Sequence, residues 1–256
     1  AMLEQVAAHW SLVFLPKSID VAAANACLSR FCPSLDISET PPPSFADVQR
    51  RPLGLENTDR KVIAGVIARK LSRQLPQITN ALHRGPTTSR SFGDNIIELD
   101  ATSRIYSTQK NASVAMPPLP SFDVQQAIPG AALEWVHLVL RHMQLPSSMR
   151  WFFSELHRCA QCFSATMTEP PLLYSVQSGI VQGCPGSGFW FALCAGPFMQ
   201  DFDRSVDLRS AGAIRACAGD IGAAIICIEV LKILSRIFAA ASRVAALVLK
   251  TSKCKL

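Results

Sequence analysis

The chain has 256 residues, of which 49% are hydrophobic and 17% charged, and this balance excludes an intrinsically disordered protein. Its 13 glycines and 17 prolines are too few for a collagen-like or low-complexity chain. The net charge is +6, and its distribution along the chain is more informative than its sum.

Two basic stretches flank an acidic middle. Nine Lys and Arg residues and two acidic residues lie between Arg50 and Arg90, and six basic residues and one acidic residue lie between Glu229 and Leu256. This pattern suits a polyanion that is held around a metal-binding centre. Solvated helix faces produce the same pattern and are the alternative interpretation.

Cysteine usage and hydropathy bear on location. The nine cysteines follow no disulfide framework, so we expect an intracellular protein, cytoplasmic or nuclear, and not a secreted one. The longest stretch without a charge, from Pro170 to Gln200, contains four prolines, so it is typical of buried strands and turns rather than of a membrane-spanning helix, and no membrane partner is expected. The first residue is Ala1 and not Met, which suggests a fragment of a longer chain.

The predicted elements, in chain order, mix helices and strands. Residues 1–50 are predicted as helix followed by loop. Hydrophobic periodicity predicts helices over 60–75, 92–107, 133–144, 149–159, 188–199 and 231–249. The helix at 92–107 is expected to bury Ile96, Ile97, Leu99 and Ile105. Residues 114–124 are predicted as an extended edge, and 172–177, 214–217 and 221–228 as strands, which together indicate an α+β class.

One cysteine pair has the spacing of metal ligands. Cys159 and Cys162 follow His157, but structural zinc needs four ligands and no second Cys-x-x-Cys occurs. We interpret the pair as buried cysteines on a continuing helix, with zinc binding and redox chemistry as the alternatives.

Short motifs occur in one order along the chain. They are Arg51-Pro52-Leu53-Gly54-Leu55 with Lys61, then His83-Arg84-Gly85, Phe122-Asp123-Val124, Gly179-Ile180-Val181-Gln182-Gly183-Cys184-Pro185, Ala216-Cys217-Ala218-Gly219-Asp220, and Leu249-Lys250-Thr251-Ser252-Lys253-Cys254. This order resembles the reverse transcriptase domain of non-LTR retrotransposons, over roughly residues 50–256. The stretch from Gln182 to Pro185 is the most specific part, and the other motifs gain weight from their order.

The resemblance implies a fold and a reaction. The fold would be a polymerase-type palm, a small antiparallel sheet with packed helices, joined to helical fingers, with the thumb absent. We expect an N-terminal helix and loop extension over 1–49, a fingers-like region over 50–121 and a palm-like region over 122–256. The implied reaction is RNA-directed DNA polymerisation, in which two Mg²⁺ ions assist nucleotidyl transfer, with an RNA template, a DNA primer and deoxynucleoside triphosphates as partners.

The resemblance also assigns the metal site. Asp123, at a strand end, and Asp220, on a hairpin turn, would hold Mg²⁺ together with Val124, since Mg²⁺ prefers oxygen ligands. A hairpin at that place brings Asp220 beside Asp123 although the two are remote in sequence. The alternative is two ordinary surface aspartates near strand ends.

Other residues would contact the substrates. Gln182 and Gly183 resemble the turn that packs against the incoming nucleotide and the template. Arg51 and Lys61 resemble finger residues that face the triphosphate, where a solvated cation is the alternative. Lys253 matches a family lysine that lies near the leaving pyrophosphate.

The sequence departs from the family pattern at three positions. Gly219 replaces the first of two adjacent aspartates and offers no ligand atom, a loss worth about 10³-fold or more in rate. Ile128 replaces the aromatic residue that excludes a ribose 2′-hydroxyl, and His83 replaces a glutamine. We therefore expect a partial or degenerate copy with impaired activity. The alternatives are a non-catalytic nucleic-acid-binding remnant and an unrelated helix-rich interaction protein, in which Asp123 and Asp220 would not meet.

Overall fold

The computed structural model describes residues 2–31, 56–72, 75–85, 90–108, 117–158, 160–163, 171–181, 184–206 and 211–256. The helices are α1 (Met2–Val13), α2 (Val21–Phe31), α3 (Glu56–Ser72), α4 (Leu75–Ile78), α5 (Phe92–Thr108), α6 (Ala127–Gly130), α7 (Leu133–His142), α8 (Ser147–His157), α9 (Ser187–Ser205) and α10 (Leu231–Ala245). The strands are β1 (Ser121–Asp123), β2 (Ala160–Phe163), β3 (Leu172–Val176), β4 (Gly212–Cys217) and β5 (Asp220–Ile225). Short 3₁₀ turns cover Ile228–Val230 and Thr251–Lys253. The α+β class is confirmed.

The largest cluster of buried residues lies behind a three-stranded antiparallel sheet with the strand order β1-β5-β4. Strand β5 directs Ile221, Ala223 and Ile225 into this core. Helices α2, α7, α9 and α10 supply the other side, with Leu28, Trp135, Phe202 and Leu234 among the fully buried side chains. Because α2 contributes to the core, the N-terminal segment is packed into the same body as the sheet.

The opposite face of the sheet is covered by α5. Side chains alternate along a strand, so Asp220 and Gly222 point away from the core that Ile221 enters. Leu99 of α5 packs at Gly222, where an added Cβ would meet its Cδ1 at 2.8 Å. The Asn95 amide donates to the carbonyl of Ala216 on β4 at 3.1 Å. Helix α5 therefore lies on the face that carries Asp220.

Helix α5 has nearly the predicted bounds but buries a different face. Ile96, Ile97 and Ile105 are all more than half exposed, while Asn95 is buried. The expectation that the isoleucines point inward is wrong. The sheet offers α5 a backbone carbonyl and an arginine on β4, and these polar groups select the polar side of the helix.

The predicted helix over 149–159 ends at His157, and residues 160–163 form a strand instead. Strand β2 pairs antiparallel with β3, and Cys162 lies opposite Tyr174. The interpretation of Cys162 as a buried helix residue is wrong, because cross-strand pairing overrides the local pattern. Cys159 lies outside the described residues. Strands β2 and β3 pack against Phe14, the residue that follows α1, in a small cluster with Ala160 and Val176.

The outer edge of β1 is occupied by the last segment of the chain. The Lys250 N–H donates to the Asp123 carbonyl at 2.8 Å, and Ser121 and Lys255 exchange two backbone hydrogen bonds of 2.9 Å each. Between these anchors the chain bulges through the 3₁₀ turn at Thr251–Lys253.

Across all the described helices, none combines the length and apolar character that a membrane crossing requires.

Candidate active site

Asp123 and Asp220 are direct partners across the sheet. The β4–β5 hairpin is closed by the pairing of Cys217 with Asp220, and β1 adds to β5 with Asp123 opposite Asp220. Directly opposed residues in antiparallel strands present their side chains on the same face, with Cα atoms about 4.5–5.5 Å apart. Asp220 is exposed, and the side chain of Asp123 is 21% exposed. The sheet therefore brings together two carboxylates that are remote in sequence.

A lysine ammonium lies against this pair. Lys253 Nζ is 3.0 Å from Oδ2 of Asp123. The hydrogen bond and charge of Asp123 raise the pKa of Lys253 above its ordinary value, and the charge of Asp220 adds to this effect. The site thus contains two carboxylates and one ammonium, with a formal charge of −1 when all three are ionised.

Gly219 occupies the turn of the β4–β5 hairpin, next to Asp220. The left-handed backbone conformation of this turn is adopted by Ala218, with φ 50°, and not by Gly219. Glycine at 219 is instead required by a close approach, since a Cβ there would lie 2.7 Å from the Cβ of Ala127. The Gly219 carbonyl accepts a hydrogen bond of 2.9 Å from the N–H of Val124. The side chain of Val124 is buried and has no oxygen atom, so Val124 could hold a metal ion only through its backbone carbonyl.

A cleft of about 290 Å³ lies between α5 and the sheet at the two carboxylates. Its walls include apolar and polar side chains of both elements, among them Phe92, Ile96, Phe122, Arg215 and Cys217. Burial raises the pKa of the Cys217 thiol, and the nearby Asp220 adds to the shift. Cys217 is therefore a protonated thiol at neutral pH.

Glu98 of α5 holds two arginines beside the cleft. Its carboxylate lies 2.6 Å from Arg84 and 2.5 Å from Arg215. Burial acts to raise the pKa of Glu98, but the hydrogen bonds and charges of Arg215 and Arg84 outweigh it and lower the pKa below its ordinary value. Glu98 thereby ties α5 to β4 and to the segment that contains His83.

His83 is buried against the same hairpin. Its neighbours Leu82 and Arg84 exchange backbone hydrogen bonds with Ala216 of β4, at 2.9 and 2.8 Å. Burial lowers the pKa of His83 to about 4, and the positive charge of Arg90 acts in the same direction. The imidazole is therefore neutral at physiological pH and serves as packing beneath the turn.

The remaining predicted residues are distributed as follows. Ile128 is half-buried against the core, and its carbonyl accepts a hydrogen bond of 3.1 Å from Ile180. Lys61 is exposed on α3. Arg51, Gln182 and Gly183 lie outside the described residues. The sequence interpretation missed Glu98 and Ala127, and the only available signal was the polar stripe of Asn95, Glu98 and Thr102 at helical spacing.

The residues present do not fit a pair of Mg²⁺ ions. Two carboxylates face each other, one of them is engaged by Lys253, and Gly219 supplies no ligand atom. Within the described part of the chain, no group of three or more His, Cys, Asp or Glu side chains is placed to hold a metal ion.

Comparison with known proteins gives structural neighbours only. No protein-family model matches the sequence, and no curated protein is significantly similar to it. The structure is similar to apo telomerase from Candida tropicalis truncated from its C-terminal domain, with a TM-score of 0.55 and 11% identity over 83% of this chain. Telomerase from Candida albicans in complex with the TWJ fragment of telomeric RNA has a TM-score of 0.56 and 10% identity over 78% of this chain. A second structure of apo telomerase from Candida tropicalis has a TM-score of 0.54 and 9% identity over 75% of this chain.

This chain spans less than half of each neighbour, namely 45%, 35% and 36% of the three telomerase chains. At such identities the likeness concerns the fold alone. The chain has an α+β polymerase-like fold, with telomerases, which are reverse-transcriptase-related polymerases, as structural neighbours.

Proposed function

We propose that this chain is a reverse-transcriptase-like domain that binds an RNA template and a DNA primer, and that Gly219 impairs its nucleotide addition. The observation that carries the proposal is the register of the sheet, which pairs Asp123 with Asp220 at the end of a hairpin. One of the structural neighbours is a telomerase in complex with an RNA fragment, and this supports a nucleic-acid partner.

The charge beside the site is suited to a polyanion. Lys250, Lys253 and Lys255 are exposed on the segment that lines β1. Contacts between such cations and phosphates release counterions, so binding weakens steeply with salt. We infer that this edge contacts the backbone of a template–primer duplex.

Binding is tested by fluorescence anisotropy with an RNA–DNA hybrid at several salt concentrations, in buffer free of divalent cations. The double variant Lys250→Gln/Lys255→Gln should weaken binding and reduce the slope of log K against log[salt] by about 1–2, since each substitution removes one cation that can pair with a phosphate. Arg158→Gln removes an exposed positive charge at the end of α8 and is the control. Equal effects of the control and the lysine variant would overturn the assignment of this edge.

Catalysis is tested by primer extension with deoxynucleoside triphosphates and Mg²⁺ on an RNA template. Because Gly219 offers no ligand atom, we expect extension at least about 10³-fold below that of an active polymerase. Robust extension by the unmodified chain would overturn the proposal that Gly219 impairs it.

The second candidate function is a non-catalytic nucleic-acid-binding domain. The ion pair between Lys253 and Asp123 favours it, because it occupies one of the two carboxylates. Salt-dependent hybrid binding without any nucleotide incorporation, even in a folded Gly219→Asp/Ala127→Gly double variant, would decide for this candidate.

A further inference from the structure

The position of Lys253 is fixed by the backbone on both sides of it. Before the bulge, the Lys250 N–H donates to the carbonyl of Asp123 at 2.8 Å; after it, Lys255 and Ser121 exchange hydrogen bonds of 2.9 Å. Inside the bulge, the Lys253 N–H donates to the Lys250 carbonyl at 2.8 Å. The strand that carries Asp123 therefore also determines where the base of the Lys253 side chain lies.

The electrostatics of the pair require a cation. Like charges that face each other directly across two strands are destabilising, and Asp123 and Asp220 are such a pair. The Lys253 ammonium lies 3.0 Å from Asp123 and is influenced by the charge of Asp220 as well. A single side chain thus places one positive charge in contact with Asp123, on the sheet face that Asp123 shares with Asp220.

We propose that Lys253 is the built-in counter-ion of the Asp123–Asp220 pair, and that its ammonium, in place of a divalent cation, offsets part of the negative charge of these carboxylates. The inference deepens the proposed function and rests on it only for the identity of the site. Its basis is the set of charged groups at the site. Two opposed carboxylates and one ammonium do not match the set of oxygen ligands that two divalent ions need.

The consequence is a site with low affinity for divalent cations. A unit positive charge and a divalent ion about 4 Å apart repel each other even in water by an amount that corresponds to about thirtyfold in affinity. Salt reduces this effect, since Lys253 is 60% exposed. Removal of the Lys253 charge should therefore tighten divalent binding by about tenfold.

The test is titration with Mn²⁺ alone, followed by electron paramagnetic resonance of the free ion. We compare the unmodified chain with Lys253→Met, which removes the charge, and with Lys253→Arg, which keeps it. We expect Mn²⁺ binding to be about tenfold tighter in Lys253→Met and unchanged in Lys253→Arg. Lys255→Met removes a charge from the same segment and should change Mn²⁺ affinity by less than threefold.

A second variant locates the binding site. Lys253→Met combined with Asp123→Asn should lose the gain in Mn²⁺ affinity, because the freed carboxylate is then absent. Unchanged affinity in Lys253→Met, or a gain that survives Asp123→Asn, overturns the proposal. Since Lys253 is largely exposed, circular dichroism should show Lys253→Met to be folded.

The outcome is separable from the proposed function. Hybrid binding is measured by anisotropy without divalent cations, so its absence overturns the nucleic-acid function and leaves the Mn²⁺ result in force. Conversely, retained hybrid binding with unchanged Mn²⁺ affinity in Lys253→Met overturns the counter-ion alone.

Discussion

A Cβ atom on Gly219 would lie 2.7 Å from the Cβ of Ala127, so any side chain at 219 forces the hairpin turn or the start of α6 to shift. We expect Gly219→Asp alone to lower the free energy of unfolding by about 1–3 kcal/mol, as overpacking does. Gly219→Asp with Ala127→Gly should recover part of that loss, because the obstructing methyl group is gone. Thermal denaturation measures the stability, and primer extension with Mg²⁺ measures whether the added carboxylate restores nucleotide addition.

The control for this pair is Ala127→Gly alone. It removes a buried methyl group and adds backbone freedom, so it should destabilise by about 1 kcal/mol and give no extension. If Gly219→Asp were as stable as the unmodified chain, the close approach of Ala127 would not be what excludes a side chain at 219.

The sequence was sufficient to predict where several of the longer helices lie, but not which side of a helix is buried. Helix α5 has nearly the predicted bounds, yet Ile97 is 68% exposed and Asn95 faces the sheet. Periodicity reports the spacing of apolar residues within one segment. It carries no information on the surface that receives the helix, which here offers the Ala216 carbonyl and the Arg215 side chain.

The same distinction applies to the candidate site. The proximity of Asp123 to Asp220 could be predicted, because a hairpin has a local signal and the order of motifs resembles a known family. The approach of Ala127 to Gly219 and the pairing of Lys255 with Ser121 have no such signal, since each joins backbone segments that are remote in sequence. These contacts depend on the packing of the whole core.

Gly179 is the first glycine of the motif that the sequence singled out, and its substitution should be severe. Its φ of +85° lies in the left-handed region, and an added Cβ would overlap the carbonyl oxygen of Pro129. Because a backbone atom cannot move aside cheaply, we expect Gly179→Ala to lower the free energy of unfolding by about 3 kcal/mol or more, measured by urea denaturation.

A matched control for Gly179 lies in α9. An added Cβ on Gly196 would meet no atom within 4 Å beyond its own helix backbone and its two chain neighbours. Gly196→Ala should therefore cost at most about 1 kcal/mol, because alanine favours the helix whereas a Cβ directly before Pro197 is disfavoured. Similar losses for the two variants would show that the left-handed turn at Gly179 is not the cause.

His83 should make the protein less stable in mild acid. Its pKa is about 4 in the folded chain and about 6.5 when unfolded, so the unfolded state binds the proton first as the pH falls. The stability that depends on a neutral His83 is fully present above pH 6.5 and is lost progressively toward pH 4. The free energy of unfolding should therefore fall by about 2 kcal/mol between pH 7.5 and 5 on account of this residue. Urea denaturation at both pH values should show that the free energy of unfolding falls less in His83→Gln than in the unmodified chain. An equal fall in the two proteins would contradict the attribution of this pH dependence to His83.

Glu98 should make the stability of the protein depend on pH in a second, more acidic range than His83 does. Its pKa is lowered in the folded chain by Arg215 and Arg84, so its contribution is present above the unfolded pKa near 4.5 and is lost as the pH falls through the folded pKa. Glu98→Gln should remove this dependence, together with the charged contacts that Glu98 makes to two arginine side chains that are 18% and 17% exposed.

The size of the Glu98 effect follows from the burial of its partners. At pH 7.5 we expect Glu98→Gln to cost about 1–2 kcal/mol, since the Glu98 side chain is 38% exposed and solvent screens part of the interaction. Glu155→Gln removes a carboxylate that pairs with the exposed Arg158 within one helix turn, and it should cost only about 0.5 kcal/mol. Because Glu98 joins α5 to β4 whereas Glu155 stays within α8, equal losses in urea denaturation would show that α5 is not held to the sheet by this cluster.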